Sequence, residues 1–227
     1  MIGITSEDLE AALRLHKLWL QGSNDGKRLD LSHAYLSGAF LNGADLTDAM
    51  LCGANLCATD LRGANLSGAN LGHADLFCAS LIGADLSNAD LTGAMLINAN
   101  LNNARLSAAR LEGAKMECAN ISDADLSGAN LSYADLSSAD LRGADLYRAD
   151  LSHAQLSHAD LSHANTFCAN FSHADLTEAH LGLMTRAEAG VSNLTSSWNS
   201  ALIAAACVCV VLLVVLRKLT KRRQRAA

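Results

Sequence analysis

The feature that most constrains this chain is a period of five. From Leu31 to Leu181 an apolar residue, almost always Leu, recurs at every fifth position: Leu31, Leu36, Leu41, Leu46 and onward to Leu176 and Leu181. Met116, Ile121 and Phe171 are mild exceptions, and only Thr166 is polar. Two residues before each later centre stands Ala, from Ala34 to Ala179, replaced once by Thr59. The residue between the two is most often Asp or Asn, as in Ala44-Asp45-Leu46 and Ala64-Asn65-Leu66. A helix repeats its faces every 3.6 residues and a strand every 2, so neither accommodates this spacing. A coil that turns one corner per unit does, with Ala and Leu inward and the other three positions facing water. Gly at the second position after many centres, such as Gly38, Gly43 and Gly53, suits turns that use φ > 0.

Composition fits a narrow core. The chain has only four Phe, three Tyr and two Trp in 227 residues, and no Pro. A conventional globular core of this size draws on more large rings. Here the apolar half of the sequence is mostly Ala and Leu, one small and one medium residue used repeatedly.

The unit A-[DN]-L-x-x, running over about two thirds of the chain, resembles the pentapeptide-repeat family. The resemblance implies an all-β solenoid, a right-handed quadrilateral β-helix with four units, or 20 residues, per coil. The repeats then make about 7–8 coils, a rod of roughly 37 Å at roughly 4.8 Å per coil. Each buried Leu contributes on the order of 1.5–3 kcal/mol before chain entropy is set against it. Thr166 should mark the weakest coil, with Phe167 and Phe171 as the neighbours expected to compensate.

Five segments follow from this reading. Residues 1–30 are a capping helix and loop, 31–181 the β-helix, 182–199 a polar linker, 200–219 a transmembrane helix and 220–227 a basic tail. The cap answers the exposed edge that a solenoid leaves at its first coil. Thr5 or Ser6 can cap a helix over 6–20, with Glu7, Asp8 and Glu10 in its first turn and Leu9, Leu13, Trp19 and Leu20 as apolar contacts. At the other end, residues 201–216 carry no charge and are rich in Val, Leu, Ala and Cys. With Trp198 as an interfacial ring, Leu202, Leu212 and Leu216 inside the bilayer and Arg217 and Lys218 at its far side, the segment reaches roughly 28 Å, enough for a single-pass anchor.

Charge divides along the chain. Residues 31–181 hold 17 Asp and Glu against 6 Lys and Arg, a net of −11, while 217–227 carry a net of +6. The basic tail points to a cytoplasmic C-terminus. The N-terminal sequence, which runs from Met1–Thr5 straight into Ser6, Glu7 and Asp8 without an apolar leader, points instead to a cytosolic β-helix and a tail anchor. The cytosolic β-helix is preferred. Cysteine spacing agrees, since Cys78 and Cys118 would share a side but sit two coils apart, beyond disulfide reach, which suits a reducing compartment.

No catalytic, cofactor or metal site is expected. Ser32-His33, Ser152-His153 and Ser172-His173 place a hydroxyl beside an imidazole, but on a convex surface with no orienting third group. In the 20-residue register His33, His73, His153 and His173 share a corner, with His153 beside His173. Two imidazoles are short of the three or four ligands of a convincing metal site, so solvated surface histidines are the plainer reading. Arg105, Arg110 and Lys115 replace Asp or Asn on three successive sides of one coil. This basic belt either docks a partner, separates two acidic zones or relieves self-repulsion.

The function expected from these features is a non-enzymatic, membrane-anchored scaffold for an unknown protein partner, with no direct nucleic-acid contact. The resemblance supplies an alternative, because some pentapeptide-repeat proteins mimic the shape and charge of DNA and bind type II topoisomerases. Self-association into a homodimer is a third arrangement.

Overall fold

The computed structural model describes residues 5–181. The linker 182–199, the helix 200–219, the tail 220–227 and the anchor residues Trp198, Leu202, Leu212, Leu216, Arg217 and Lys218 lie outside the described residues. Among the described residues, no helix is long and apolar enough to cross a membrane.

Every residue that precedes a centre pairs in parallel with the residue 20 positions on, in an unbroken series from Asp30↔Met50 to Asp160↔His180. Four such pairs per 20 residues make each coil four-sided. The pairs are isolated bridges and not extended strands, because a side is only three residues long before the chain turns again. Leu36 N–H donates to the Asn55 carbonyl at 2.8 Å and Asn55 N–H to the Ala34 carbonyl at 2.9 Å, and the same two bonds recur along the rod. The Leu centres from Leu46 to Leu161 are fully buried, as are the Ala residues beside them from Ala49 to Ala159.

Each corner is a type II turn. The Ala N–H bonds back to the carbonyl of the preceding centre, as in Ala44 to Leu41 at 3.0 Å, and the third residue of the turn has positive φ. Glycine was expected where φ is positive, yet the structure uses that conformation at every corner from His33 to Glu178, at twenty residues other than Gly. Their side chains bear a local steric cost on the order of 1 kcal/mol each. It is offset because the strained N–H also joins the ladder, as in His33 to the Cys52 carbonyl at 2.9 Å.

The cap α1 spans Ser6–Leu20, with Thr5 as its N-cap accepting from the Asp8 amide at 3.1 Å. Leu9, Ala12 and Leu13 are half-buried and pack against the apolar core of the rod. Gly26 lets the following loop cross α1 closely, since a Cβ there would stand 2.1 Å from the Trp19 nitrogen. The centre of this junction is a residue the sequence did not single out. His16 is fully buried, stacks on Trp19 at 5.5 Å and accepts the Leu29 amide on Nδ1 at 3.1 Å. With Nδ1 an acceptor, the neutral ring holds its proton on Nε2, which is buried with the Thr47 backbone nearby.

Thr59 and Thr166 show how differently one hydroxyl is treated at two core positions. Thr59 Oγ1 donates to the Leu36 carbonyl at 3.0 Å, so its replacement of Ala is satisfied. Thr166, 1% exposed, leaves Oγ1 without a partner. The expected compensation by Phe167 does not occur. Its backbone lies just past the centre on the outward side, and its ring is 56% exposed, stacked on Tyr147 at 6.1 Å. Phe171 is buried, but as the centre of its own unit.

Two outcomes are expected. Thr166→Leu restores the centre and removes an unpaired hydroxyl, which should raise unfolding free energy by about 1–3 kcal/mol in denaturant titration. Burial lowers the pKa of His16 below its ordinary 6.5. The unfolded chain therefore takes up a proton near pH 6.5 that the folded chain resists, and stability falls as pH drops through that point. Thermal melts should show a lower Tm at about pH 5.5 than at about pH 7.5, with the difference reduced in His16→Gln.

Candidate interaction surface

Four of the five N–H groups in a unit are taken by the ladder and the turn. The fifth, on the residue after the centre, points outward along the side. Wherever the residue before the centre is Asp or Asn, its Oδ1 accepts that N–H, for example Ser32 to Asp30 at 3.0 Å, Gly72 to Asn70 at 3.0 Å and Ser132 to Asn130 at 3.0 Å. A Ser or Thr at the donor position often adds its hydroxyl to the same oxygen, as Ser137 does to Asp135 at 2.6 Å. Asp and Asn are thus equivalent for the fold, and one oxygen of each is committed to the backbone.

The 20-residue register aligns outward side chains into straight columns. On one corner Tyr133, His153 and His173 form a stack, with ring centroids 4.7 and 4.8 Å apart and planes within 1° and 14° of parallel. His153 and His173 are therefore neighbours, and Tyr133 joins them. Further down this corner the His33 and His73 rings lie where a Cβ on Gly53 or Gly93 would be. Among the described residues no cluster of three or more His, Cys, Asp or Glu side chains could hold a metal.

The belt residues do not act as one patch. Arg105 lies 3.6 Å from Asp85 and Arg110 3.3 Å from Asp90, each on its ladder neighbour, while Lys115 follows Met95. Partial burial pushes Asp85 up, but the Ser87 hydroxyl and amide and the Arg105 guanidinium hold it below the usual carboxylate range. Asp90 is held low in the same way by Thr92 and Arg110. Arg142 similarly grips Asp140 with two bonds of 2.6 and 2.8 Å. These pairs are largely exposed and contribute little to stability.

The adjacent Ser-His pairs show no mutual hydrogen bond, whereas a contact across coils does. Ser162 Oγ lies 2.6 Å from His180 Nδ1 and donates to Asp160 at 2.5 Å, and Asp160 is 3.2 Å from the same Nδ1. Serine and carboxylate both meet one ring nitrogen, so the imidazole is not placed between them as a base oriented by an acid. His158 meets Glu178 at 3.1 Å. Only the 20-residue register brings these pairs together. The five described cysteines are free, and burial with the Asp75 carboxylate nearby pushes the Cys57 thiol up to about 11. A groove of about 460 Å³ lies between α1 and the first coil, lined by Leu9, Leu13, Tyr35 and Phe40 among others.

The equivalence of Asp and Asn is testable at position 130, which lies on the ladder between Arg110 and Asp150. Asn130→Ala loses the bonds from the Ser132 amide and hydroxyl and should cost about 1 kcal/mol, while Asn130→Asp should change stability by less than about 0.5 kcal/mol. Chemical denaturation of the two variants checks the difference.

No curated protein sequence matches the chain. Among solved structures, a pentapeptide repeat protein from the Arabidopsis thaliana thylakoid lumen is 36% identical over 40% of this chain and 66% of its own, with a TM-score of 0.35. QnrB1, a plasmid-mediated fluoroquinolone resistance protein, in a trypsin-treated form, is 25% identical over 70% and 79%, with a TM-score of 0.43. HetL, a pentapeptide repeat protein involved in heterocyst differentiation regulation in Nostoc, is 27% identical over 78% and 94%, with a TM-score of 0.26. The family model for pentapeptide repeats matches in overlapping copies that run from residue 30 to residue 182. With that match over two thirds of its length, and with a four-sided parallel ladder beneath it, the chain belongs to the pentapeptide-repeat family.

Proposed function

We propose that this protein is a non-enzymatic scaffold, a stiff rod held to a membrane by a helix over residues 200–219, whose outer columns bind a protein partner. The observation that carries the reading is the 20-residue register. It turns a short sequence motif into straight, evenly spaced rows of side chains, the kind of extended surface through which solenoids bind. The uncharged run 201–216 and the basic residues after it support the anchor, and cysteines spaced beyond disulfide reach support a cytosolic position for the β-helix. Protease treatment of intact and permeabilised cells, followed with antibodies to the two ends, tests the placement. The rod should be digested from the cytosolic side without permeabilising the target membrane. Protection until permeabilisation would remove the cytosolic scaffold.

The net charge of −11 over 31–181 favours a second reading, an acidic rod that occupies the DNA-binding surface of a type II topoisomerase. The Arg105 and Arg110 pairs and the many Asn positions dilute that charge. Inhibition of supercoiling by the purified protein separates the two, since the scaffold is expected to leave it unchanged.

A further inference from the structure

Four aromatic side chains of the cap and rod, Trp19, Tyr133, Tyr147 and Phe167, sit in ring stacks, and Trp19 and Tyr147 also carry an arginine. Arg28 Cζ lies 5.8 Å from the Trp19 centroid, where Trp19 stacks on His16. Arg148 Cζ lies 5.0 Å from the Tyr147 centroid, where Tyr147 stacks on Phe167. Tyr133, which heads the stack with His153 and His173 and is 61% exposed, has no such cation among the described residues.

The space beside Tyr133 is open. His153 covers one face of its ring. Toward the other face the corner column holds Gly113 and then Gly93. A Cβ on Gly93 would meet the His73 ring at 2.6 Å, but a Cβ on Gly113 would meet nothing within 4 Å. The column therefore has an unfilled rung at Gly113, one coil from Tyr133 on the side away from His153. Glu112 precedes that glycine, Arg110 is already held by Asp90, and the backbone of Lys115 pairs with that of Asp135, two residues beyond Tyr133. The surrounding β-helix is acidic, with a net of −11 over 31–181.

We propose that this corner receives an arginine side chain of a partner protein, whose guanidinium stacks on the open face of Tyr133 above Gly113 while Glu112 meets its charge. The proposal deepens the scaffold reading and rests on it. A guanidinium suits the site better than an ammonium because it is flat, stacks on rings and is weakly hydrated. The two arginine–ring contacts already present in this molecule have the same composition.

The test uses the full-length chain in detergent with ring-labelled tyrosine, whose three residues Tyr35, Tyr133 and Tyr147 report separately by NMR. The probes are two synthetic peptides of equal length and charge, one built on arginine and the other on lysine. The arginine peptide should shift the Tyr133 resonances saturably. By calorimetry it should bind about three- to fivefold more weakly to Tyr133→Asn, to Glu112→Gln and to Gly113→His, where the new ring fills the rung. Asn is tolerated at positive φ, and His adopts it at position 153 with φ 60°, so the corner substitutions keep the fold. Equal affinity for the lysine peptide, unchanged affinity in the variants or a silent Tyr133 would overturn the proposal. A partner that binds another column while Tyr133 stays silent would leave the scaffold reading in place and remove this site.

Discussion

The structure depends on one hydrogen bond that the backbone cannot supply for itself. In a coil with three residues to a side, the ladder and the turn satisfy four N–H groups of each unit and leave the N–H after the centre pointing outward. The Oδ1 of the preceding Asp or Asn accepts it across two residues, from Ser32 on Asp30 to Thr177 on Asp175. The side chain must be short and must carry an acceptor at the γ position, which is why Asp and Asn dominate and Glu and Gln do not. Where Tyr35, Phe40, Met50 or Met95 takes the place, no such bond exists and the side chain is free to serve another purpose.

A second constraint works at the corners. A square coil needs a turn every five residues, and a type II turn places its third residue at positive φ whatever that residue is. Glycine relieves the cost at ten of the corners along the rod, and elsewhere His, Cys, Asn, Asp, Ala, Tyr, Ser, Arg or Glu accepts it. Those side chains project from the edges of the rod, stacked at the ladder spacing. The corners are consequently both the strained points of the backbone and the positions where chemistry is displayed, as in the Tyr133, His153 and His173 stack.

These two constraints separate fold from function. Because Asp and Asn serve the turn equally, the charge on each side of the rod is not dictated by the fold. The net of −11, the Arg105 and Arg110 pairs with Asp85 and Asp90, and the Arg142 grip on Asp140 are therefore the part of the repeat that can answer to a partner. The core, by contrast, tolerates little variation. Thr59 is accommodated because a carbonyl lies within reach of its hydroxyl, and Thr166 is not, because no acceptor does.

The sequence by itself determined the solenoid. A period of five excludes both helix and flat strand, and Leu and Ala at fixed places state which side faces in. It also determined the corner shared by His153 and His173, since that follows from counting 20 residues. Only the tertiary structure decided the contacts that depend on direction and distance across coils. His16 buried against Leu29 and Ser162 beside His180 join residues that no local pattern relates, and counting 20 residues puts Gly113 on the Tyr133 corner without saying that its rung is open. The reason is physical: periodicity fixes which residues lie at the same height and edge, whereas side-chain rotamers and the space left by neighbours fix which of them touch.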